Sequence, residues 1–184
     1  MNITGIAEHR WEGSGHFTCD DHLIIYSGAE KQGQGGVAVI LDNEAKKGFI
    51  SYNAISDRIL VVHLDTKPVQ TSIIQVYAPT STHTDEEIEE FYSQLQTVQD
   101  SINNKNQTII MGDFNAKVGQ GASKHQGLGP HGLGLRNESG EKLLTFSQAN
   151  HLCILNTWFQ HHPRRLITWT SNDRHKKNNH IDYI

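Results

Sequence analysis

Short runs of apolar, often β-branched residues recur along the chain, separated by glycine, asparagine and aspartate. Runs of this length and composition are typical of β-strands. Two of them, residues 73–77 and 108–111, are apolar on both faces, which predicts a sheet that is covered on both sides. The spacing of the first six runs favours hairpins and a meander over repeated βαβ units. We predict strands near residues 3–7, 22–26, 36–41, 48–53, 58–64, 71–77, 107–111, 152–156, 166–169 and 180–184.

Two segments instead have the 3.6-residue periodicity of an amphipathic helix. Residues 85–102 place their apolar side chains on one stripe, and Thr84 followed by Glu87 predicts a capping box at the start. The acidic run within this segment is therefore interpreted as a solvated helix face rather than a metal cluster. A second helix is predicted from about residue 138 to residue 150. Together these elements predict an α/β sandwich of two sheets with helices packed outside.

Composition limits the class of protein further. The chain has 184 residues with 16 basic and 20 acidic side chains, a formal charge of −4, which suits one domain with a real core. It contains no apolar run long enough to cross a membrane and no visible secretory signal. Its two cysteines cannot form a disulfide framework, so we expect an intracellular protein, nuclear or cytoplasmic.

The strongest local signal is the motif Gly112-Asp113-Phe114-Asn115 at the end of a predicted buried strand. Alternation along a strand places Asp113 and Asn115 on the same face, at the carboxyl end where α/β active sites gather. A carboxylate beside an amide can hold and polarise a water molecule. The alternative is an Asp/Asn turn that merely ends the strand, and spacing alone leaves the two interpretations about equal.

Three further segments carry candidate chemistry. Glu8 ends a short apolar strand, and Tyr77 ends another before a proline-directed turn; a surface glutamate and a core aromatic plug are the alternatives. Residues 161–180 carry five basic side chains against one aspartate, with tryptophan between them. This composition suits a surface that follows phosphates and contacts sugars and bases, whereas the alternative is a solvated run of charge.

Two other patterns are weak. Residues 127–132 match the spacing of a dinucleotide-binding loop, but they follow a polar stretch, contain a proline and open no helix. The 12 histidines include His161, His162, His175 and His180, whose spacing fits no zinc finger. We interpret these histidines as surface or nucleic-acid-facing side chains.

Taken in order, the glutamate-ending strand, the Tyr77-Ala78-Pro79 strand end, the Gly-Asp-x-Asn motif and the Trp-x-Ser and Ile-Asp-Tyr segments resemble the endonuclease/exonuclease/phosphatase superfamily. The sequence of these segments is most similar to the endonuclease domain of RTE-type non-LTR retrotransposons and to the related craniofacial development protein 2-like proteins. The resemblance covers essentially the whole chain. It implies a DNase I-like α/β fold and a Mg²⁺-dependent (or Mn²⁺-dependent) phosphodiesterase that nicks DNA.

The resemblance also implies a role for particular residues. Glu8 matches the metal-binding glutamate, and Asp113 matches the residue that orients or deprotonates the attacking water. Asn115 matches the asparagine that holds the phosphate and that aspartate, Tyr77 a donor to the scissile phosphate, and Asp182 the aspartate that orients a catalytic histidine. The remaining positions are predicted DNA contacts: Asn137, Arg165, Thr168, Trp169 and Ser171.

The family pattern also contains elements that the 184 residues lack. These are a strand with an active-site asparagine before the Glu8 strand, and a Ser-Asp-His ending that supplies the catalytic histidine. Because losing an acid or base typically costs about 10²–10⁴-fold in rate, we expect little or no nuclease activity from this chain alone. A catalytically inactive binding or interaction module is the alternative function, and we expect exposed sheet edges to favour aggregation or a partly molten state.

Overall fold

The computed structural model describes residues 2–31, 33–120, 127–171 and 177–184, and it shows a mixed α/β protein. In chain order the elements are β1 (Ile3–Ala7), β2 (Ser14–Cys19), β3 (His22–Ser27), β4 (Val37–Leu41), β5 (Phe49–Ser56), β6 (Ile59–Leu64), β7 (Thr71–Tyr77), α1 (Asp85–Ser101), β8 (Gln107–Asp113), α2 (Glu138–Ala149), β9 (Trp169–Thr170), β10 (Asn178–Asn179) and β11 (Asp182–Tyr183). Short 3₁₀ helices cover Ala45–Gly48, Leu155–Thr157 and Pro163–Arg165.

The chain forms two compact units. Unit 1 takes in residues up to Pro79 together with His83–Gly112, and unit 2 takes in Thr80–Thr82 and Asp113–Ile184. Unit 1 contains both main sheets and helix α1, whereas unit 2 contains α2 and the short strands β9 to β11. The interpretation of the chain as a single domain stays a prediction.

The first sheet of unit 1 has the strand order β1-β4-β3-β2, with every neighbouring pair antiparallel. Its central strand β4 is almost wholly buried, which agrees with the continuous apolar sequence Val-Ala-Val-Ile-Leu. In the second sheet β5, β6, β7 and β8 are neighbours in that order, and β5–β6 and β6–β7 pair antiparallel. Strand β7 is buried on both faces, as residues 73–77 predict, and β6 is buried as well, whereas β8, which contains residues 108–111, is only half-buried.

The two sheets of unit 1 pack face to face. Side chains from β3, β4, β6 and β7 meet in one cluster that is almost completely shielded from solvent. Burial of this apolar surface is the main source of stability. The members of this cluster are Ile25, Val37, Val39, Leu41, Ala45, Leu60, Val62, Leu64 and Ile73. This packing confirms the predicted two-sheet sandwich.

Both predicted helices are present. In α1 the Thr84 hydroxyl accepts from the amide of Glu87 at 3.3 Å, and the amide of Thr84 donates to the Glu87 carboxylate at 2.8 Å, so the capping box is confirmed. Helix α1 buries Phe91, Leu95 and Val98 and exposes its acidic first turn, which confirms the solvated face. Neither α-helix in the described ranges has the length and hydropathy of a transmembrane segment.

Several features differ from the predicted strands. Strand β2 was not predicted, because its sequence Ser-Gly-His-Phe-Thr-Cys is largely exposed and lacks an apolar face. The predicted strand at 152–156 is an isolated bridge at Ile154 followed by a 3₁₀ turn. In place of the predicted strands at 166–169 and 180–184 the structure has the two-residue strands β9 and β11, and the two-residue strand β10 has no counterpart among the predictions. The predicted meander exists as two separate hairpin runs, β2–β3–β4 and β5–β6–β7, with β1 joined to β4.

Candidate functional site

In unit 1 the chain turns sharply after strand β1, at Glu8. Both Glu8 and Arg10 have positive φ angles, 61° and 64°, a region that side-chain-bearing residues adopt rarely. The Glu8 carboxylate is exposed and accepts a hydrogen bond from the Arg10 guanidinium at 2.6 Å. This hydrogen bond and the negative charge of Glu8 raise the pKa of Arg10. The predicted metal ligand is therefore one half of a solvent-exposed ion pair.

Tyr77, the last residue of β7, is half-buried in the same unit. The Arg58 guanidinium lies over its ring, 5.3 Å from the ring centroid, and donates to its backbone carbonyl at 3.2 Å. The amide of Tyr77 in turn donates to the carbonyl of Arg58 at 2.9 Å. Arg58 also lies 3.1 Å from His83. The cation therefore fixes where the tyrosine lies and places positive charge beside it.

A tight turn in unit 2 holds two other predicted residues. Asp113 ends β8, and its Oδ1 accepts from the amide of Asn115 at 2.8 Å, while Asn115 has a φ of +47°. Between them, Phe114 is buried and its amide donates to the carbonyl of Ile181 at 3.0 Å. The structure therefore brings Asp113 and Asn115 together through an Asp turn, and it ties that turn to the segment that carries Asp182.

The conformation before that turn depends on Gly112. Its φ is +144°, and a Cβ at this position would overlap the carbonyl oxygen of Val76 and lie 2.9 Å from the carbonyl carbon. Strand β8 thus passes β7 at a separation that excludes any side chain here. This close approach requires a glycine at position 112, directly before Asp113 in the Gly-Asp-x-Asn motif.

Asp182 lies half-buried on β11. Its amide and the amide of Ile181 donate to the Thr168 hydroxyl oxygen at 3.3 and 3.1 Å. Burial raises the pKa of Asp182, while a hydrogen bond from Thr168 and the nearby His180 partly oppose this effect. Thr168 therefore positions the Asp182 backbone and stabilises its charged form.

His180 is buried, with only 3% of its surface exposed, so its interpretation as a surface histidine is wrong. Its ring packs against that of Tyr183 in a tilted arrangement with the centroids 4.6 Å apart, and the Tyr183 hydroxyl donates to the His180 carbonyl at 2.6 Å. Burial lowers the pKa of His180, partly opposed by Asp182. The polar sequence around His180 gave no sign of this burial. His175 lies outside the described residues.

The predicted DNA contacts fall into two groups. Arg165, Thr168 and Trp169 are exposed, and Trp169 keeps 45% of its surface accessible although its strand pairs with β10. By contrast, Ser171 is buried and its hydroxyl accepts from the amide of Lys177 at 2.8 Å. The side-chain oxygen of Asn137 caps helix α2. Residues 172–176 of the basic stretch lie outside the described part of the chain.

Asn137 also has a second structural partner. Its Oδ1 accepts from the amides of Gly140 and Lys117, both at 2.9 Å, so the oxygen links the start of α2 to the segment after Asn115.

The glycines at 127–132 likewise have packing roles. A Cβ on Gly129 would lie 2.5 Å from the carbonyl carbon of Thr157, whose hydroxyl accepts from the Gly129 amide at 2.8 Å.

Glu8 offers a divalent cation a single exposed carboxylate. No three acidic, histidine or cysteine side chains form a metal cage within the described ranges. Mg²⁺, however, is often held by one or two carboxylates, several waters and substrate phosphates. The single exposed carboxylate of Glu8 fits that open mode and does not fit a closed structural site.

Two functional candidates were missed by sequence reasoning. Arg10 stands two residues after Glu8 and could have been found by noting a cation beside the predicted metal ligand. Arg58 belongs to no motif, and its position against Tyr77 follows from the β6–β7 pairing, so no local signal marks it.

Comparison with known proteins gives a family. A family model described as endonuclease-reverse transcriptase matches residues 71–184. Craniofacial development protein 2 of Bos taurus is 40% identical over 185 residues, an alignment that takes in 100% of this chain and 31% of the relative. The chain spans about a third of the length of the curated relatives it matches.

Two solved structures show the same fold. The endonuclease domain of TRAS1, a telomere-specific non-LTR retrotransposon, has a TM-score of 0.63 and 19% identity over 89% of this chain and 65% of its own. The AP endonuclease LMAP from Leishmania major has a TM-score of 0.69 and 12% identity over 98% of this chain and 68% of its own. The chain has the DNase I-like α/β fold and belongs to the endonuclease-reverse transcriptase family of the endonuclease/exonuclease/phosphatase superfamily.

Proposed function

We propose that this domain is a phosphodiesterase that nicks DNA with the help of Mg²⁺ or Mn²⁺, that it is of retroelement origin, and that these 184 residues alone nick DNA only weakly. One observation carries the proposal: the Gly112–Asn115 turn is built around Asp113. Asn115 adopts a left-handed backbone, its amide donates to Asp113 Oδ1, and the buried Phe114 anchors the turn to Ile181. A carboxylate that the fold holds beside an amide can orient and polarise a water molecule.

The proposed roles follow from the chemistry of each group. Asp113 holds and orients the attacking water, and Asn115 holds Asp113 and contacts the phosphate. Tyr77, beside the cation of Arg58, donates to a phosphate oxygen. Asp182 positions a proton-transferring group, and Glu8 binds the cation. A cation bound at Glu8 would neutralise charge that develops on the phosphate oxygens.

The proposed nucleic-acid surface is narrower than the predicted one. Arg165, Thr168 and Trp169 are exposed and remain proposed DNA contacts, because a guanidinium pairs with phosphate and an indole stacks on bases. Ser171 and Asn137 are assigned structural roles through Lys177 and helix α2. An intracellular location, nuclear or cytoplasmic, stays a prediction.

A second candidate function is DNA binding without hydrolysis. The observation that favours it is the ion pair between Glu8 and Arg10, which occupies the carboxylate proposed to bind the cation. In this case the domain would act as an interaction module and divalent cations would not change its affinity for DNA.

One experiment separates the two functions. Supercoiled plasmid is incubated with the wild type, Asp113→Asn and the matched surface variant Asp100→Asn in Mg²⁺, Mn²⁺ or EDTA, and binding to a labelled duplex is measured in parallel. Metal-dependent nicking that Asp113→Asn lowers by at least about 10²-fold and Asp100→Asn leaves unchanged supports the hydrolase. Binding without nicking in any metal supports the interaction module. Absence of both overturns both candidates.

A further inference from the structure

The ion pair of Glu8 and Arg10 is a single contact between two accessible groups. One guanidinium nitrogen, Nη2, donates to one carboxylate oxygen, Oε1, and the side chains remain 60% exposed for Arg10 and 46% exposed for Glu8. A guanidinium carries five N–H donors, and within the described residues this one donates only to Glu8. Exposed ion pairs are weak and exchange readily with other ions.

The backbone that presents this pair is held from one side by a glycine-rich segment. The amides of Glu8 and Arg10 donate to the carbonyls of Gly36 and Gly35 at 2.7 and 2.9 Å, and the amide of Gly33 donates to the carbonyl of Arg10 at 3.0 Å. These hydrogen bonds maintain the two left-handed residues. The geometry of the pair is therefore set by the fold and does not depend on the ion pair itself.

His9, which lies between the two charged residues, holds the turn in place through hydrogen bonds from its imidazole to backbone groups. Its Nδ1 accepts from the amide of Trp11 at 3.0 Å, so Nε2 carries the proton and faces the carbonyls of Ser27 and Val37, each at 3.2 Å. A Cβ on Gly36 would lie 2.5 Å from the imidazole. The imidazole fills the space under the turn, and Glu8 and Arg10 are left as its solvent-facing residues.

We propose that Arg10 is an exchangeable counter-cation: it occupies the Glu8 carboxylate in the cation-free chain, and it is released to bind a nucleic-acid phosphate when a divalent cation takes its place. The inference rests on the proposed role of Glu8 as the cation ligand. A freed guanidinium can take a phosphate through two parallel hydrogen bonds.

Direct cation binding tests the exchange without any measurement of catalysis. Mn²⁺ is titrated into the wild type, Arg10→Met, Arg10→Gln and Glu8→Gln, and free Mn²⁺ is followed by electron paramagnetic resonance. Both Arg10 variants should bind Mn²⁺ about two- to fivefold more tightly, the range expected when an exposed ion pair is removed. The gain should disappear when either Arg10 variant is combined with Glu8→Gln. Lys47→Met is the matched control, because it frees Glu44 from another solvent-exposed pair, also at 2.6 Å, and should not change the Mn²⁺ affinity at Glu8.

The second arm measures phosphate binding. Affinity for a labelled DNA duplex is measured by fluorescence anisotropy with Ca²⁺ in place of Mn²⁺. Arg10→Met should lower the affinity severalfold in the presence of the cation and by less in EDTA, where Glu8 already holds the guanidinium. Lys47→Met should change neither value.

The outcomes separate the two claims. If Glu8→Gln leaves Mn²⁺ affinity unchanged, the proposed cation ligand is wrong and the exchange is overturned with it. If Glu8→Gln lowers Mn²⁺ affinity but the Arg10 variants do not raise it, Glu8 stands as the ligand and only the exchange is overturned. A loss of DNA affinity in Arg10→Met of equal size with and without cation also overturns the exchange.

Discussion

The substitution Gly112→Ala tests whether the close approach of strands β7 and β8 fixes the Asp113 turn. Two costs act at this position. First, φ +144° lies in a region that is essentially restricted to glycine, and holding alanine there costs about 1–3 kcal/mol of stability. The new Cβ must also push away the backbone carbonyl of Val76, and such overpacking costs typically about 1–3 kcal/mol.

Together these costs amount to roughly 2–6 kcal/mol, a large part of the ~5–15 kcal/mol that stabilises a domain. For a chain of this length each kcal/mol lowers Tm by about 2–4 °C, so we expect a fall of roughly 4–24 °C. The assay is urea and thermal unfolding followed by circular dichroism. Because the displaced residue precedes Asp113, nicking should fall in the fraction that remains folded.

Gly13→Ala is the control for a glycine with positive φ that has free space around it. Gly13 has a φ of +67°, and nothing lies within 4 Å of a Cβ built there. The free energy of unfolding of this variant should therefore fall only by the cost of placing a side chain in the left-handed region, about 1–2 kcal/mol. If Gly112→Ala and Gly13→Ala lose the same stability, the close approach to Val76 does not determine the residue at position 112 and the reasoning is wrong.

Three further predictions concern capping and pH. Thr84→Ala should lower the free energy of unfolding by about 1 kcal/mol through loss of the capping box, measured in urea. Asp182→Asn should be more stable than the wild type at pH 7, because burial raises the pKa of Asp182; the difference should vanish below its ordinary pKa of 3.8, as seen in melts across pH. Burial lowers the pKa of His9, His63 and His180 below 6.5. Stability should therefore be full above pH 6.5 and fall as the pH drops through their lowered pKa values, and replacing all three with glutamine should flatten this dependence.

The Asp182 prediction also separates a functional residue from a structural one. A half-buried carboxylate whose pKa is raised by burial costs stability at neutral pH, so a purely structural role would favour its replacement. If Asp182→Asn gains stability and loses nicking, the carboxylate is retained for chemistry. If nicking is unchanged, its proposed role in proton transfer is wrong.

The sequence predicted the buried sheets and both helices because strong local signals agreed with the tertiary environment. Residues 73–77 lie in β7, which is buried on both faces, and Thr84 with Glu87 marks the start of α1; residues 108–111, which are equally apolar, lie in the half-buried strand β8. Prediction failed where a strand has no apolar pattern of its own. Strand β2 is held by its hairpin with β3, from Ser14 opposite Ser27 to Cys19 opposite His22, and that pairing leaves no periodicity to detect.

The candidate site was predictable in residue type but not in conformation. Of the five residues other than glycine with positive φ in the described ranges, three are Glu8, Arg10 and Asn115. None of them belongs to a type that requires this backbone, so the sequence shows a carboxylate, a guanidinium and an amide without showing the turns that present them. The surrounding glycines are the indirect signal: Gly35 and Gly36 accept from the Glu8–Arg10 turn, and Gly112 allows the approach of β8 to β7. Backbone hydrogen bonds to Gly35 and Gly36 hold the left-handed Glu8–Arg10 turn, and Gly112 precedes the turn with the left-handed Asn115, so glycines near the two acidic residues are the part of this conformation that the sequence does show.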